Sequence, residues 1–426
     1  MEGHKRWSRL DNAAKIFPPT TTRRDTKVFR FVCELTEPVD GAVLQCALEQ
    51  TIQDFPLYRC VLKKGLFWYY LEESSIQPVV AEETLPVCSP IYNADKRGLL
   101  FRVLFYKQRI NFEVFHALAD GTGVLQFLRT MVLHYLEKKH GISGQLIDYD
   151  ASRDQKNQDA FYQYYDKTGA SPEIKRYRAY QIRGERLPNN RIGITEGFAS
   201  TKEVLQKAHE YDATLSEFLI ALLICSIQDA MAVRERARPV IIAVPVDLRR
   251  FFPAQTARNF FGVIQVAHHF QKDGRELPQV LANVRDSLRR QLTQETLHGI
   301  ISYYSALEDN PLVKAIPLQV KIPVLRMSGL RADGEDTAAF SNIGRVSMPL
   351  EAKKHIRLFD VFLSTKRPQL CVCSFEDTLA ISMSSPLMDT GIQRRFFRLL
   401  TQMKISMQIV SNLEQLNGEE TTDATV

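Results

Sequence analysis

The chain has 426 residues, too many for one hydrophobic core, and its length alone predicts two or three domains. Its 45% hydrophobic and 24% charged residues form an ordinary globular balance, which excludes a low-complexity or fibrous protein. A net charge of +6 without a dense Lys/Arg stripe is too weak for a nucleic-acid binder. It suits an anionic ligand or an acidic carrier protein, and ordinary surface lysines and arginines account for it more simply.

The N-terminal stretch MEGHKRWSRLDNAAKIFPP has no apolar h-region and predicts no signal peptide. Phe29 to Thr36 alternates Phe29, Phe31, Cys33 and Leu35 with other residues, the period of a half-buried strand. Asp40 is placed to cap a helix whose apolar positions Leu44, Leu48, Ile52 and Phe55 share one face, with Pro56 as its stop. Strands are expected over Tyr58–Leu62, Phe67–Leu71, Leu100–Tyr106 and Ile110–Phe115. Thr122 is the expected cap of a long helix carrying Val124, Leu125, Leu128, Val132, Leu133 and Leu136 toward the core.

From about 141 to 190 the chain turns polar and irregular (GQLIDYDASRDQKNQ, then KRYRAYQIRGERLPNN), which marks a crossover. Tyr162, Tyr164 and Tyr165 fall in this crossover and are expected to pack there. Helices follow over Thr201–Tyr211 and Leu215–Val233, then the wholly apolar strand VIIAVPV, Val240–Val246. Later strands are expected at Ile356–Ser364, Leu370–Phe375 and Leu379–Met383, with a last helix near Gly391–Val410. The polar tail from 414 to 426 predicts disorder. The division expected is an N-terminal half, 1–185, and a C-terminal half, 186–413.

The longest apolar run, Leu219–Ile227, is far below the roughly 20 residues of a bilayer span, so no stable membrane insertion is expected. Seven cysteines with no C-x-x-C pair fit a reduced, cytoplasmic chain. No phosphate loop, dinucleotide fingerprint or G-x-S-x-G occurs.

Two stretches carry a histidine four residues before an Asp-Gly pair: HALADG, His116 to Gly121, and HHFQKDG, His268 to Gly274. A histidine acting as general base must be near-neutral, oriented and close to its target, and an ordinary pKa of about 6.5 satisfies the first demand. The aspartate is then best used in a buried ion pair that fixes the loop, with glycine allowing the turn. Such a loop runs through packed protein and needs small or apolar neighbours. Ala117, Leu118 and Ala119 supply them in HALADG, whereas Gln271, Lys272, Arg275 and Glu276 make HHFQKDG a charged surface turn. His116 is therefore the expected base. The adjacent His268 and His269 lack acidic or thiol companions and point to opposite faces of a strand, so no metal site is expected.

Two further segments, VPVDLRRFFPAQTARNFFGVI (244–264) and FSNIGRVSMP (340–349), follow HALADG in the order D-L-R, N-x-x-G, then S-N-x-G-R. With these the chain resembles the coenzyme A-dependent acyltransferase superfamily over nearly its whole length. That superfamily includes chloramphenicol acetyltransferase, BAHD acyltransferases, condensation domains and bacterial alcohol acetyltransferases, the last being most similar. Phe115 stands where condensation domains have their first histidine, and no D-F-G-W-G occurs, which leaves the acceptor open.

The resemblance implies an α/β (α+β) fold of two chloramphenicol-acetyltransferase-like sandwich halves, a V-shaped pseudo-dimer with an active-site tunnel between them. It implies an acyl transfer from acyl-CoA, or from an acyl carrier protein, to an alcohol or amine. His116 would be the base, with no covalent intermediate and no permanently bound cofactor. It casts Asp120 as the partner of Arg249, with Arg59 as the alternative, and the Gly121 N–H, Ser341 or Asn342 as oxyanion donors. Asn259 and Gly262 would serve a close backbone approach at the interface. The partners expected are a small-molecule acceptor and a thioester, the state a monomer. Two other readings stand beside this one: a catalytically silent scaffold, and a stand-alone amide-forming condensation enzyme.

Overall fold

A computed structural model describes residues 6–142, 144, 146, 159–166 and 178–413. The 414–426 tail lies outside the described residues. The first half of the chain supplies β1 (Trp7–Arg9), β2 (Val28–Leu35), β3 (Cys60–Lys64), β4 (Tyr69–Glu73), β5 (Val80–Glu82), β6 (Phe101–Tyr106) and β7 (Arg109–Phe115). The remainder supplies β8 (Gly193–Ser200), β9 (Val240–Asp247), β10 (Phe261–His268), β11 (Ala338–Val346), β12 (Ile356–Leu363), β13 (Gln369–Phe375), β14 (Thr378–Ser385) and β15 (Met407–Ser411).

These strands form three sheets: a small one ordered β1-β4-β3, a five-stranded one ordered β12-β2-β7-β6-β5, and a seven-stranded one ordered β10-β9-β11-β13-β14-β8-β15. Helices Gly41–Asp54 and Gly121–His140 pack together in the first half, and Leu215–Gln228 and Leu277–Gln291 in the second. The two larger sheets are therefore each covered by helices, the arrangement of an α/β layer. The first core centres on aromatic rings: Phe127 stacks on Tyr58 at 4.3 Å and on Phe112 at 4.8 Å.

Asp40 caps its helix as its position predicts, accepting from Ala42 N and Val43 N. The cap of the long helix differs from expectation. It is Asp120, whose Oδ1 accepts from Gly123 N at 3.0 Å, because the Thr122 hydroxyl instead donates to Asp247 Oδ2 at 3.0 Å. Pro56 starts a 3-10 turn, Pro56–Arg59, so Tyr58 precedes its strand rather than joining it. Leu66 and Phe67 belong to the turn before β4 and are exposed. The last helix ends at Gln402; Lys404, at φ 67°, reverses the chain into β15, which pairs with β8.

A sequence boundary at 185/186 does not follow the sheets. β12, from the second half, is antiparallel to β2 in the five-stranded sheet, and it packs against β13 and β14 of the seven-stranded one. Ile356, Phe359 and Val361 join the first core, and Phe362 joins a smaller cluster with Val28, Val32 and Ile194. The halves are joined through it.

Candidate active site

β7 ends at Phe115, and His116 follows, its backbone N–H donating to Lys27 O at 2.8 Å. The imidazole lines a cavity of about 130 Å³ between the halves. Walls come from Phe29 and Phe31 of β2, from Gly121, and from Pro245, Phe261, Ser341 and Cys371 of the seven-stranded sheet. Phe17 stacks on the imidazole at 4.3 Å between centroids, with Phe29 at 4.9 Å and Phe261 at 5.5 Å around it. Three aromatic rings thus keep water from one side of a histidine whose other side faces the cavity.

His116 Nδ1 lies 3.2 Å from Asn259 Oδ1. Asn259 is buried, and its Nδ2 donates to Asp11 Oδ2 at 3.2 Å. An amide whose NH₂ is committed to a carboxylate presents only its oxygen elsewhere, and that oxygen can only accept. Nδ1 must then carry the proton, leaving the lone pair on Nε2. Burial lowers the His116 pKa from its ordinary value, against the opposing pull of its own backbone carbonyl, Asp120 and Asn259. The ring is held neutral, in one tautomer.

Asp11 itself is fully buried. Its Oδ1 accepts from Ala14 N at 2.7 Å, and Arg258 Nε lies 3.6 Å from Oδ2. Burial pushes its carboxyl pKa up, and Arg258, the Ala14 N–H and Asn259 offset part of that rise.

Asp120 borders the same cavity, but its carboxylate is taken up by protein donors. Arg249 donates to both its oxygens, at 2.8 and 3.3 Å, and Phe260 N donates to Oδ2 at 2.8 Å. Arg249 also reaches Asp247 Oδ1 at 2.9 Å and the Thr256 carbonyl at 3.0 Å. Burial works against the guanidinium charge, and the two carboxylates outweigh it and raise the Arg249 pKa. Arg59, the alternative partner, instead ends the 3-10 turn beside β3.

Of the other expected residues, Gly121 opens the helix at the cavity edge, where a Cβ would meet Ile343 Cδ1 at 3.1 Å. Ser341 lines the cavity. Asn342 lines it too, its amide held by one Nδ2 N–H donating to Ser216 Oγ at 2.9 Å and by Oδ1 accepting from Gly344 N at 2.8 Å. Asn259 lies at the interface but works through its side chain. Gly262 is a correction: a Cβ there would meet Leu248 at 3.5 Å, an ordinary contact, so no close approach demands glycine. The close approach falls at Gly123, where a Cβ would sit 1.9 Å from the Ala257 carbonyl oxygen. Asp11, Phe17 and Gly123 were missed. The second glycine of ADGTG was the only local signal among them.

The rival loop is built differently. His268 is buried at the end of β10, with Asn283 Nδ2 3.1 Å from Nδ1 and the Gly274 carbonyl 3.0 Å from Nε2. Asp273 Oδ2 accepts from the His269 backbone N–H at 2.8 Å. Both ring nitrogens of His268, which stands one position before the motif's own His269, and the Asp273 carboxylate are engaged within the turn and its neighbouring helix.

Among the described residues no group of three or more His, Cys, Asp or Glu converges on one point. No family model matches the sequence, nor does any curated protein. The sheets, the helices and the interface loop define the fold of the coenzyme A-dependent acyltransferases and condensation domains. One similar solved structure is that of TRI101 from Fusarium sporotrichioides complexed with coenzyme A and T-2, at 11% identity and a TM-score of 0.65, over 95% of this chain and 99% of that one. The trichothecene 15-O-acetyltransferase TRI3 of the same organism matches at 11% identity and a TM-score of 0.62, over 94% and 95%. The first condensation domain of the CDA synthetase matches at 14% identity and 0.59, over 93% and 96%.

Proposed function

We propose that the chain is an acyltransferase that moves an acyl group from a thioester, acyl-CoA or an acyl carrier protein, to an alcohol or amine. The observation that carries this is the His116–Asn259 pair, which leaves a neutral imidazole with its Nε2 lone pair available beside an interface cavity. Coenzyme A in the TRI101 complex supports the donor class. Nε2 takes the proton of the acceptor hydroxyl or amine as that group attacks the thioester carbonyl. The new C–O or C–N bond forms, the tetrahedral oxyanion collapses, the C–S bond breaks, and His116 returns the proton to the departing thiolate. No covalent enzyme intermediate is required.

The Gly121 N–H, the Ser341 hydroxyl and the second N–H of the Asn342 amide are the oxyanion donors considered in this scheme. Such a donor contributes about 10²–10³ in rate. Asp120, through Arg249, holds the loop and touches no reacting atom in this scheme. We also place the protein in the cytoplasm, on the strength of seven unpaired cysteines. No helix of the described residues is long and apolar enough to cross a membrane.

The test is turnover of the purified chain over a panel of acyl-CoAs and of alcohols and amines, with released thiol and acylated product both identified by mass spectrometry. Thiol release matched by an ester or amide, and lost in His116→Ala, supports the reading. A chain that binds acyl-CoA but releases no thiol with any acceptor favours the silent-scaffold reading.

A further inference from the structure

Residues Asn310 to Ala332 form a surface ridge: a short helix, Pro311–Ala315, then a longer one, Leu318–Ala332. The longer helix has apolar side chains on two sides. Leu318 is buried and Ile322 packs against the first core, which accounts for one side. On the other, Val320, Val324, Met327 and Leu330 recur at i, i+4, i+7 and i+10, and each is more than half exposed. Leu312 and Ile316 extend the exposed apolar line backward.

The stretch from Asn310 to Ala332 contains Lys314, Lys321, Arg326 and Arg331 and no acidic residue. The acids that flank it are matched by cations: Asp309 by Lys314 at 2.6 Å, and Asp333 by Lys366 at 2.7 Å and Arg367 at 3.3 Å. The turn before β4 is docked on the start of this helix. Leu318 N donates to Leu66 O at 2.8 Å, and Lys321 Nζ donates to Phe67 O at 3.1 Å and sits 3.9 Å over the Trp68 ring. Exposed Leu66 and Phe67 therefore join the same apolar face. That turn also borders a cavity of about 740 Å³ lined by Trp7, Trp68, Tyr162, Lys15 and Lys314.

We propose that this face docks on a bilayer surface carrying anionic headgroups, with Val320, Val324, Met327, Leu330 and Phe67 entering the acyl boundary and Arg326 and Arg331 meeting lipid phosphates. An apolar stripe in a stretch that carries cations and no acid is the pattern that favours such a surface. A second copy of this chain fits poorly, because a symmetric contact would bring Arg326 and Arg331 toward their own duplicates with no acid in the stretch to pair them. An acidic protein would use the cations but leave the apolar line uncovered. The docking itself stands without the acyltransferase reading.

The experiment uses the full chain with vesicles of phosphatidylcholine alone and of phosphatidylcholine mixed with phosphatidylglycerol, some of them brominated in the acyl chains. Both tryptophans of the chain, Trp7 and Trp68, line the cavity beside the face and serve as reporters. We expect co-sedimentation with the phosphatidylglycerol vesicles, weakened by salt, and quenching of tryptophan emission by the brominated lipid. Arg326→Gln and Arg331→Gln should each lower the partition coefficient about fivefold. Val324→Asp should abolish it while leaving the circular dichroism spectrum and the melting temperature unchanged; if that variant fails to fold, the double arginine variant decides. Absence of sedimentation would overturn the proposal, as would binding that ignores both arginine and Val324 variants. A soluble dimer broken by Val324→Asp, or binding of an acidic carrier protein without binding of either vesicle, would overturn it equally.

Discussion

HALADG and HHFQKDG share a histidine, a spacing and an Asp-Gly pair, and the chain folds them into opposite devices. In the first, Asp120 reaches across the interface to Arg249 and to the Phe260 N–H, so its carboxylate ties together residues more than a hundred positions apart. In the second, Asp273 closes on the His269 N–H within its own turn, and His268 is satisfied by Gly274 and Asn283. The first loop is held across the interface and its histidine borders the cavity; the second is held by its own turn and the helix beside it. A pattern of residue types is therefore not a site until the partners that satisfy it are known.

The sharpest way to break the contrast is to remove the cavity histidine. His116→Ala should lose at least about 10²–10⁴ in kcat with little change in melting temperature, measured with a working donor and acceptor. If turnover survives, the site lies elsewhere. Next in size are the two aspartates. Asp120→Asn takes one of the two carboxylates from buried Arg249, which keeps Asp247, and should cost about 3 kcal/mol, the low end for a broken buried pair, in chemical denaturation. Asp273→Asn, which keeps an acceptor in a local turn, should cost no more than about 1 kcal/mol. Equal losses would erase the distinction.

A finer test concerns Asp11, which never touches His116. In Asp11→Asn, the Ala14 N–H claims the side-chain oxygen, so the new NH₂ faces Asn259 and favours turning that amide over. The flipped amide donates to Nδ1 and moves the imidazole proton to Nε2. We expect a loss of about tenfold or more in kcat, with KM unchanged and rescue in Asp11→Glu only if the carboxylate reaches Asn259. Wild-type kcat in Asp11→Asn would remove the relay.

Smaller again is a shift in pH dependence. Only neutral His116 can accept a proton, and burial holds its pKa below the ordinary value of about 6.5, so kcat/KM should rise through an acid limb below that pH and be flat at neutrality. Phe17→Ala lets water reach the ring, which raises the pKa and moves the limb to higher pH. A limb that stays put would mean that Phe17 does not desolvate the base. The smallest expected effect is that of His269→Ala, which should turn over within a few-fold of wild type.

Local chemistry was legible in the sequence. Alternation gave the strand of Phe31 and Cys33, although both of its faces are buried where one was expected, and helical spacing gave the stripe from Val124 to Leu136. Where two local signals competed, the reading slipped: Thr122 and Asp120 are both good caps, and the decision came from Asp247, which takes the Thr122 hydroxyl. Asp11 was out of reach because its partner, Asn259, is 248 positions away and a single Asp in a polar N-terminal stretch carries no period or motif. β12 was seen as a strand, but no pattern of its own residues says which sheet it joins.

The placement of β12 also sets a clock. The edge of β2 that it covers is made early in translation, yet its partner ends at Leu363, nearly 250 residues after β7 is complete. At ~5–20 residues per second, the ribosome leaves that edge unpaired for roughly 10–50 s. An open strand edge is a template for pairing with other chains. For this protein the hazardous interval is therefore written into the topology: a nascent chain stalled before residue 356 should be held by chaperones or aggregate, whereas one stalled after the sheet is closed should not.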